Sequence, residues 1–341
     1  MLKGLALTPP VIGRISIGKV VEKNGKRLPE KDDEFTITSQ VQNRDGWVNH
    51  PLDEQLRKDK NAKLRSIPVR LLFDDPHLSL RANYTMFDRA TARPLCVGNG
   101  ESCKRATLSG MQSFACPSPQ ACPLAEGGNC KPYARLNVRI DVEGTGTDEL
   151  GSFVLRTTGF NSIRSLSARL RYFHALSGGL LSTLPLELRL RGKSTTLSHR
   201  TPIYYVDLTL RAETTLAQAI ASARTEWEAH KAAGMDQAAL DEAARAGFAL
   251  GEFEESEEDG AAVVEEFYPD AEGSSEDGLD QGPQDTGREP SQPQSARQRQ
   301  SGPHRNLGHK LGERLKAQGM VPIGSPRSGS VVDSGVGHGS G

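Results

Sequence analysis

The chain has 341 residues with 42 Lys+Arg against 43 Asp+Glu, and its net charge of −1 conceals a strong asymmetry. Residues 1–211 carry 31 basic and 20 acidic side chains, whereas residues 252–280 carry 13 acidic side chains and no Lys or Arg. No run reaches the roughly 20 apolar residues that span a bilayer, and Pro9-Pro10 breaks the short apolar start before a signal-peptide core can form. A cytoplasmic protein that meets a polyanion, or whose acidic tail competes for its basic body, is expected.

In chain order, Ile12, Ile15, Ile17 and Val20 predict a strand over Val11–Val21, ended by a turn at Lys23-Asn24-Gly25-Lys26. Phe35–Ile37 predicts a short second strand. Clean alternation follows at Ile67, Val69, Leu71 and Phe73, at Leu136, Val138, Ile140 and Val142, and at Tyr204, Val206, Leu208 and Leu210. One helix interrupts the pattern: Ile163, Leu166, Leu170 and Phe173 recur at helical spacing, with Asn161 or Ser162 to cap it and Gly178-Gly179 to stop it. The fold class is α+β, a mostly antiparallel sheet with one main packed helix, occupying residues 1–211. Residues 212–250, rich in Ala and Glu with Gly234 midway, predict a helical appendage. Residues 251–341 are too polar to repay ordering entropy and predict a disordered tail, acidic and then basic, with one short basic helix at Leu307–Gln318.

All five cysteines lie within residues 96–130, as Cys96-x6-Cys103-x12-Cys116-x5-Cys122-x7-Cys130. Clustered thiols in a cytoplasmic chain point to metal more often than to disulfides. The intervening segment is rich in Gly and Pro and poor in apolar residues, so a closed tetrathiolate zinc site would supply the cohesion that a core cannot. Cys116, Cys122 and Cys130 are the expected ligands, and Cys96 and Cys103 compete for the fourth place. Ordinary buried or redox-active thiols, and an iron–sulfur cluster on the same four thiolates, are the alternatives.

A second pattern is basic. In Leu186–Lys193 the leucines alternate with Arg189, Arg191 and Lys193, and Arg135 and Arg139 flank Leu136 and Val138 in the same way. Arg164, Arg169 and Arg171 lie off the apolar stripe of the helix. Together these residues predict a positive face able to neutralise phosphates, against the plainer reading of a solvated sheet. Catalytic motifs fail on inspection. Gly192-Lys193-Ser194-Thr195 lacks the first glycine of a phosphate-binding loop, Glu187 standing in its place. No nucleophile elbow and no His-Glu-x-x-His is present, and the histidines are scattered. No small-molecule substrate is indicated.

The order of features resembles the recombination directionality factor-like family of phages and integrative elements, whose members often carry only a generic hydrolase or metal-binding label. The resemblance covers about residues 10–211. It rests on Gly13-Arg14-Ile15-x-Ile17-Gly18, Leu28-Pro29 with Asp33 and Phe35, and Ile67-Pro68-Val69-Arg70. Cys96-x-Gly98-x-Gly100, Cys130-Lys131-Pro132 before Arg135-Leu136, and the stretches Phe153–Ser165 and Leu184–Leu208 complete it. It implies a role in site-specific recombination, binding a serine integrase to switch it from integration to excision. The sequence therefore predicts a non-enzymatic accessory factor of mobile-element recombination, with a structural zinc and contacts to protein and DNA. A single-stranded DNA-binding protein of element replication and a metal-dependent hydrolase are the alternatives.

Overall fold

Alternating apolar residues and tight turns account for most of the strands. The computed structural model describes residues 9–23, 26–43, 46–57, 59, 62–142, 150–194, 196, 202–250, 263–264 and 267–268. A long antiparallel hairpin of β1 (Val11–Lys23) and β2 (Lys26–Asn43) opens the fold, with β3 (Gly46–Asn49) beside β2. Helix α1 (Pro51–Leu56) leads to β4 (Ser66–Leu71), and the single turn α2 (Pro76–Ser79) to β5 (Leu80–Phe87). A meander follows: β6 (Pro94–Gly98), β7 (Ser102–Thr107) and β8 (Gly110–Ala115). The short helix α3 (Ser118–Ala121) and a 3-10 turn (Pro123–Gly128) then carry the chain into β9 (Lys131–Ile140). The remainder is β10 (Ser152–Thr157), α4 (Phe160–Ser177), β11 (Leu186–Lys193), β12 (Ile203–Leu210), α5 (Leu216–Ala232) and α6 (Gln237–Leu250).

These strands join in one mostly antiparallel sheet, so the chain is α+β as its alternation implies. Among the described residues only β1 and β10 pair in parallel. Strand β9 is the hub. One of its edges pairs with β10, while the other is shared, its first residues pairing with β5 and its last with β4. The sheet forks there. One branch runs through β5, β6, β7 and β8, and the other through β4, β11 and β12.

The core lies where β1, β2, β4, β9, β10, β11 and β12 face α4: Phe35, Ile67, Leu136, Phe153, Leu170 and Leu188 belong to one buried cluster. The apolar stripe of α4 is the one its spacing requires, with Leu166, Leu170 and Phe173 buried. Gly178 ends the helix at φ +71°, the left-handed conformation that a side chain disfavours. Its start differs from expectation. Gly159 is the N-cap, without a side-chain cap, because Asn161 and Ser162 are otherwise engaged. Ser162 Oγ accepts from Val206 N at 3.1 Å, and Asn161 Oδ1 accepts from Lys193 Nζ at 2.8 Å. Among the described residues β12 pairs only with β11, so Ser162 satisfies a backbone donor on its open edge.

The Ala-rich segment after β12 forms two helices that pack on the body. Ala219 and Ala223 of α5 enter the main core, and Arg70 of β4 ties Glu226 of α5 and Asp141 together at 2.8 Å each. Helix α6 seats Ala244 and Phe248 against Phe73 and Leu78, and Gln237 Nε2 donates to Leu72 O. Four residues of the acidic segment also pack on the body: Val263, Val264, Phe267 and Tyr268 gather on Phe87 and Tyr133. The remaining residues from 251 onward, including Leu307–Gln318, lie outside the described residues.

Candidate metal centre and basic face

The segment holding the cysteines is built as a sheet meander and two turns. In register, Cys103 lies opposite Gly98 on one side and Phe114 on the other, while Cys96 lies opposite Arg105. Side chains alternate across a strand with period two, so Cys96, Gly98, Cys103 and Arg105 share one face, as do Phe114 and, one step beyond β8, Cys116. Gly98 is required there by space. A Cβ at that position would lie 2.7 Å from Cys103 Cβ and 2.9 Å from Cys116 Sγ. The tight turn between β6 and β7 is fixed by Asn99, whose Oδ1 accepts from Glu101 N and Ser102 N. Glu101 O in turn accepts from Cys116 N at 2.9 Å, which brings the exit of β8 back to that turn. Cys122 closes α3 and opens the 3-10 turn, and Cys130 immediately precedes β9.

All five thiols are free of disulfides, and each of the other four influences Cys130. Burial, and the negative charge that Cys96, Cys116, Cys122 and Cys103 would bring, push the Cys130 thiol up to about 12. Burial also raises Cys103, with Cys96 and Cys116 adding to it. The Arg105 guanidinium is drawn further toward its charged form by a hydrogen bond to Cys96, and it stacks over Phe114 at 5.0 Å. A cation bound among these thiols would offset the repulsion that they would meet as thiolates. Among the described residues, no group of three or more His, Cys, Asp or Glu side chains stands at coordination geometry. Cohesion otherwise is slight: every residue of β8 is exposed, and so are Leu108 and Leu124.

The predicted basic residues separate into two groups. Arg169 and Arg191 converge on Asp207, the latter with Nε at 2.7 Å from Oδ2, and Ser165 Oγ donates to the same carboxylate at 2.7 Å. Arg189 pairs with the buried Glu187, and Lys193 bonds Asn161. Arg135 lies across from Arg81 and Arg156, and Arg139 across from Arg70, in the registers of β9 with its neighbours. Of the predicted residues on α4, Arg164 and Arg171 stand exposed on its outer face, which also presents Phe160, Tyr172 and Leu176. The alternation of Arg189 and Arg191 with leucines was legible in sequence. The acidic partners were not, since Asp207 pairs with β11 from a strand 16 residues away.

Burial alone would raise the Asp207 carboxyl, but Ser165, Arg169 and Arg191 outweigh it and hold it below the usual carboxylate range. A carboxylate depressed in the folded state contributes stability above its unfolded value, near 3.9, and loses it as pH falls through the folded one. Asp207→Asn should therefore lower stability by about 2 kcal/mol at pH 7, the worth of charge-assisted bonds to half-exposed arginines. The gap in urea midpoints between variant and parent should narrow as pH falls below about 4 and close only below the depressed value of the folded carboxyl; a constant gap from pH 7 to pH 3 would contradict the assignment.

No helix among the described residues is long and apolar enough to cross a membrane. No curated protein and no solved structure matches the chain. A family model does match, and it spans residues 12–211, from the first strand through the last strand of the sheet and including the whole cysteine segment. The chain therefore belongs to the Gp3-like, recombination directionality factor-like family.

Proposed function

We propose that the protein is a non-catalytic accessory factor of phage or mobile-element DNA recombination, stabilised by one structural zinc and acting through contact with a serine integrase. The family match over residues 12–211 carries this reading. Its non-catalytic character is supported by how the buried carboxylates are used. Asp53 is engaged by Arg57, Glu187 by Arg189, Asp207 by two arginines, and Asp241 by Gln237 and the Asp75 backbone N–H, so each is occupied with holding the fold. The approach of Cys103 and Cys116 at Gly98, and the influence of the four other thiols on Cys130, support zinc as the structural metal. A tetrathiolate leaves no open position for water, and the fifth cysteine is then a spare. The compartment is cytoplasmic, where thiols stay reduced.

DNA contact is secondary in this reading, because Arg169, Arg189, Arg191 and Lys193 already have internal partners. Arg164 and Arg171 remain to meet phosphates, and two neutralised phosphates give a log–log salt slope of about −2. The test is a recombination assay with the full chain and the serine integrase of the same element. Zinc-loaded protein is expected to turn attachment-site recombination from integration to excision, while anisotropy on duplex DNA shows the shallow slope. An unchanged recombination direction would refute the proposal. A slope of about −7 would give DNA binding, and with it the replication reading, the leading place.

A further inference from the structure

The packing of Val263, Val264, Phe267 and Tyr268 on the body forms a cluster separate from the main core. Its floor is made by Phe87 of β5 and Tyr133 of β9, whose rings meet edge to face at 5.4 Å. Asn83 lies opposite Tyr133 and Thr85 opposite Lys131, so Phe87, Tyr133 and Lys131 share one face of the sheet. The Phe267 ring stands edge-on to Phe87 at 4.9 Å and to Tyr133 at 6.0 Å, and Tyr268 packs on Phe267 at 4.7 Å. Val263 and Phe267 are each 1% exposed.

Polar contacts fix the direction of the segment. Lys131 Nζ donates to Phe267 O at 3.0 Å, and Tyr268 Oη donates to Asn129 O at 2.7 Å. Tyr268 Oη also lies 3.3 Å from both the backbone N and O of Phe87. Arg89 sits over the Tyr268 ring at 4.4 Å, and Lys131 lies 5.6 Å from both rings. The site is an aromatic floor with a cationic rim, and it takes paired aromatic side chains that arrive among carboxylates.

The segment that fills it reads Val-Val-Glu-Glu-Phe-Tyr, within a stretch of 13 acidic residues and no Lys or Arg. Twelve residues separate Val263 from Leu250, the last residue of α6. A short ligand on such a tether docks through a high effective concentration, on the millimolar scale, and not through extensive contact. A free segment of the same chemistry can therefore compete for the site. We propose that this groove is a peptide-docking site for a short acidic segment bearing an adjacent aromatic pair, offered by a partner protein, and that Val263–Tyr268 is its resident intramolecular occupant. The inference stands independently of the zinc and of the recombination assignment.

The experiment measures binding of a fluorescent synthetic peptide of residues 259–270 to three full-length proteins: the parent, a Phe267→Ala/Tyr268→Ala variant, and that variant with Arg89→Glu added. Tyr268→Phe, which removes only the hydroxyl bonds, serves as a milder vacating change, and far-UV circular dichroism checks folding of each. The double variant is expected to bind the peptide at least ten-fold more tightly than the parent, Tyr268→Phe to fall between them, and Arg89→Glu to reverse most of the gain. Equal binding to all folded proteins would mean that neither vacating the groove nor reversing its rim charge affects the peptide, and would overturn the proposal. So would a double variant that prefers a single-stranded oligonucleotide to the peptide. Parent protein that proves dimeric, and that dissociates in the double variant, would assign the groove to a second copy of the chain and also overturn it.

Discussion

Replacing Cys122 by Ser in the full-length chain is expected to abolish stoichiometric zinc and to make the segment from β6 to the start of β9 the first site of proteolysis. The reason is the poverty of that segment in any other cohesion. Leu108, Met111, Phe114 and Leu124 are all exposed, and only Cys103 and Ala125 between residues 99 and 129 reach burial among apolar side chains. Hydrogen bonds across β6, β7 and β8 cannot alone hold three short strands whose faces bury so little. A tetrathiolate zinc provides apparent binding free energy of about 10–16 kcal/mol in small zinc domains. Loss of one ligand should weaken binding by more than the ~10–100-fold that follows loss of an outer-shell partner. Metal analysis and limited trypsin digestion read the outcome, with cleavage expected at Lys104 and Arg105. The main core lies elsewhere in the sheet, so the body should keep its cooperative unfolding. The comparison of Cys96→Ser with Cys103→Ser is the sharper half of the test: one should stay zinc-replete and the other should not. A folded Cys122→Ser protein holding a full equivalent of zinc would sink the structural-zinc reading, and visible absorption from the parent would point instead to iron and sulfide.

Where side-chain burial follows a local period, the fold was legible. Leu136, Val138 and Ile140 mark β9, and Leu166, Leu170 and Phe173 mark the inner face of α4. Neither pattern depends on what lies across from it. The meander β6–β7–β8 left no such mark, because its strands pair with one another while β8 buries nothing. The cysteines were visible as a cluster, and the register adds the reason for their approach: Gly98 opens the space that Cys103 and Cys116 fill. Charge was the least legible property. Arg169 and Arg191 looked like free cations because Asp207 is distant in sequence, and the burial of Glu187, the partner of Arg189 on the same strand, has no local mark. The aromatic residues of the acidic segment gave the converse case. Nothing local to Phe267 and Tyr268 names Phe87 and Tyr133 as their receptors, which come from strands more than 130 residues away.

The second large effect is expected at Arg57, which follows α1. Its guanidinium places all five donors. Nε and Nη2 bond the two oxygens of Asp53 at 2.8 and 3.3 Å, and Nη1 bonds Glu34 at 2.5 Å and Ala62 O at 3.0 Å. Nη2 also donates to Phe35 O at 3.1 Å. Asp53 is itself buried and accepts from Ile37 N at 2.8 Å, so the pair joins α1 to β2 on both sides of Phe35. The hydrogen bond to Asp53 raises the Arg57 pKa far above its ordinary value, so the charge persists at every accessible pH. Arg57→Ala would leave the Asp53 carboxylate buried without its counter-ion, a change that costs about 3–5 kcal/mol. The contrast with Asp207→Asn is instructive. There the arginines left behind are roughly two-fifths exposed and can turn to water, whereas the Asp53 side chain, 4% exposed, cannot. Arg57→Lys should recover little, because an ammonium cannot reproduce the planar fork that reaches four acceptor groups. Arg57→Ala/Asp53→Ala, which removes both charges, should be more stable than Arg57→Ala alone. Urea midpoints at constant m-value measure the series. A loss below about 1 kcal/mol for Arg57→Ala would mean that Asp53 finds water or another donor, and that the arginine does not pin α1 to β2.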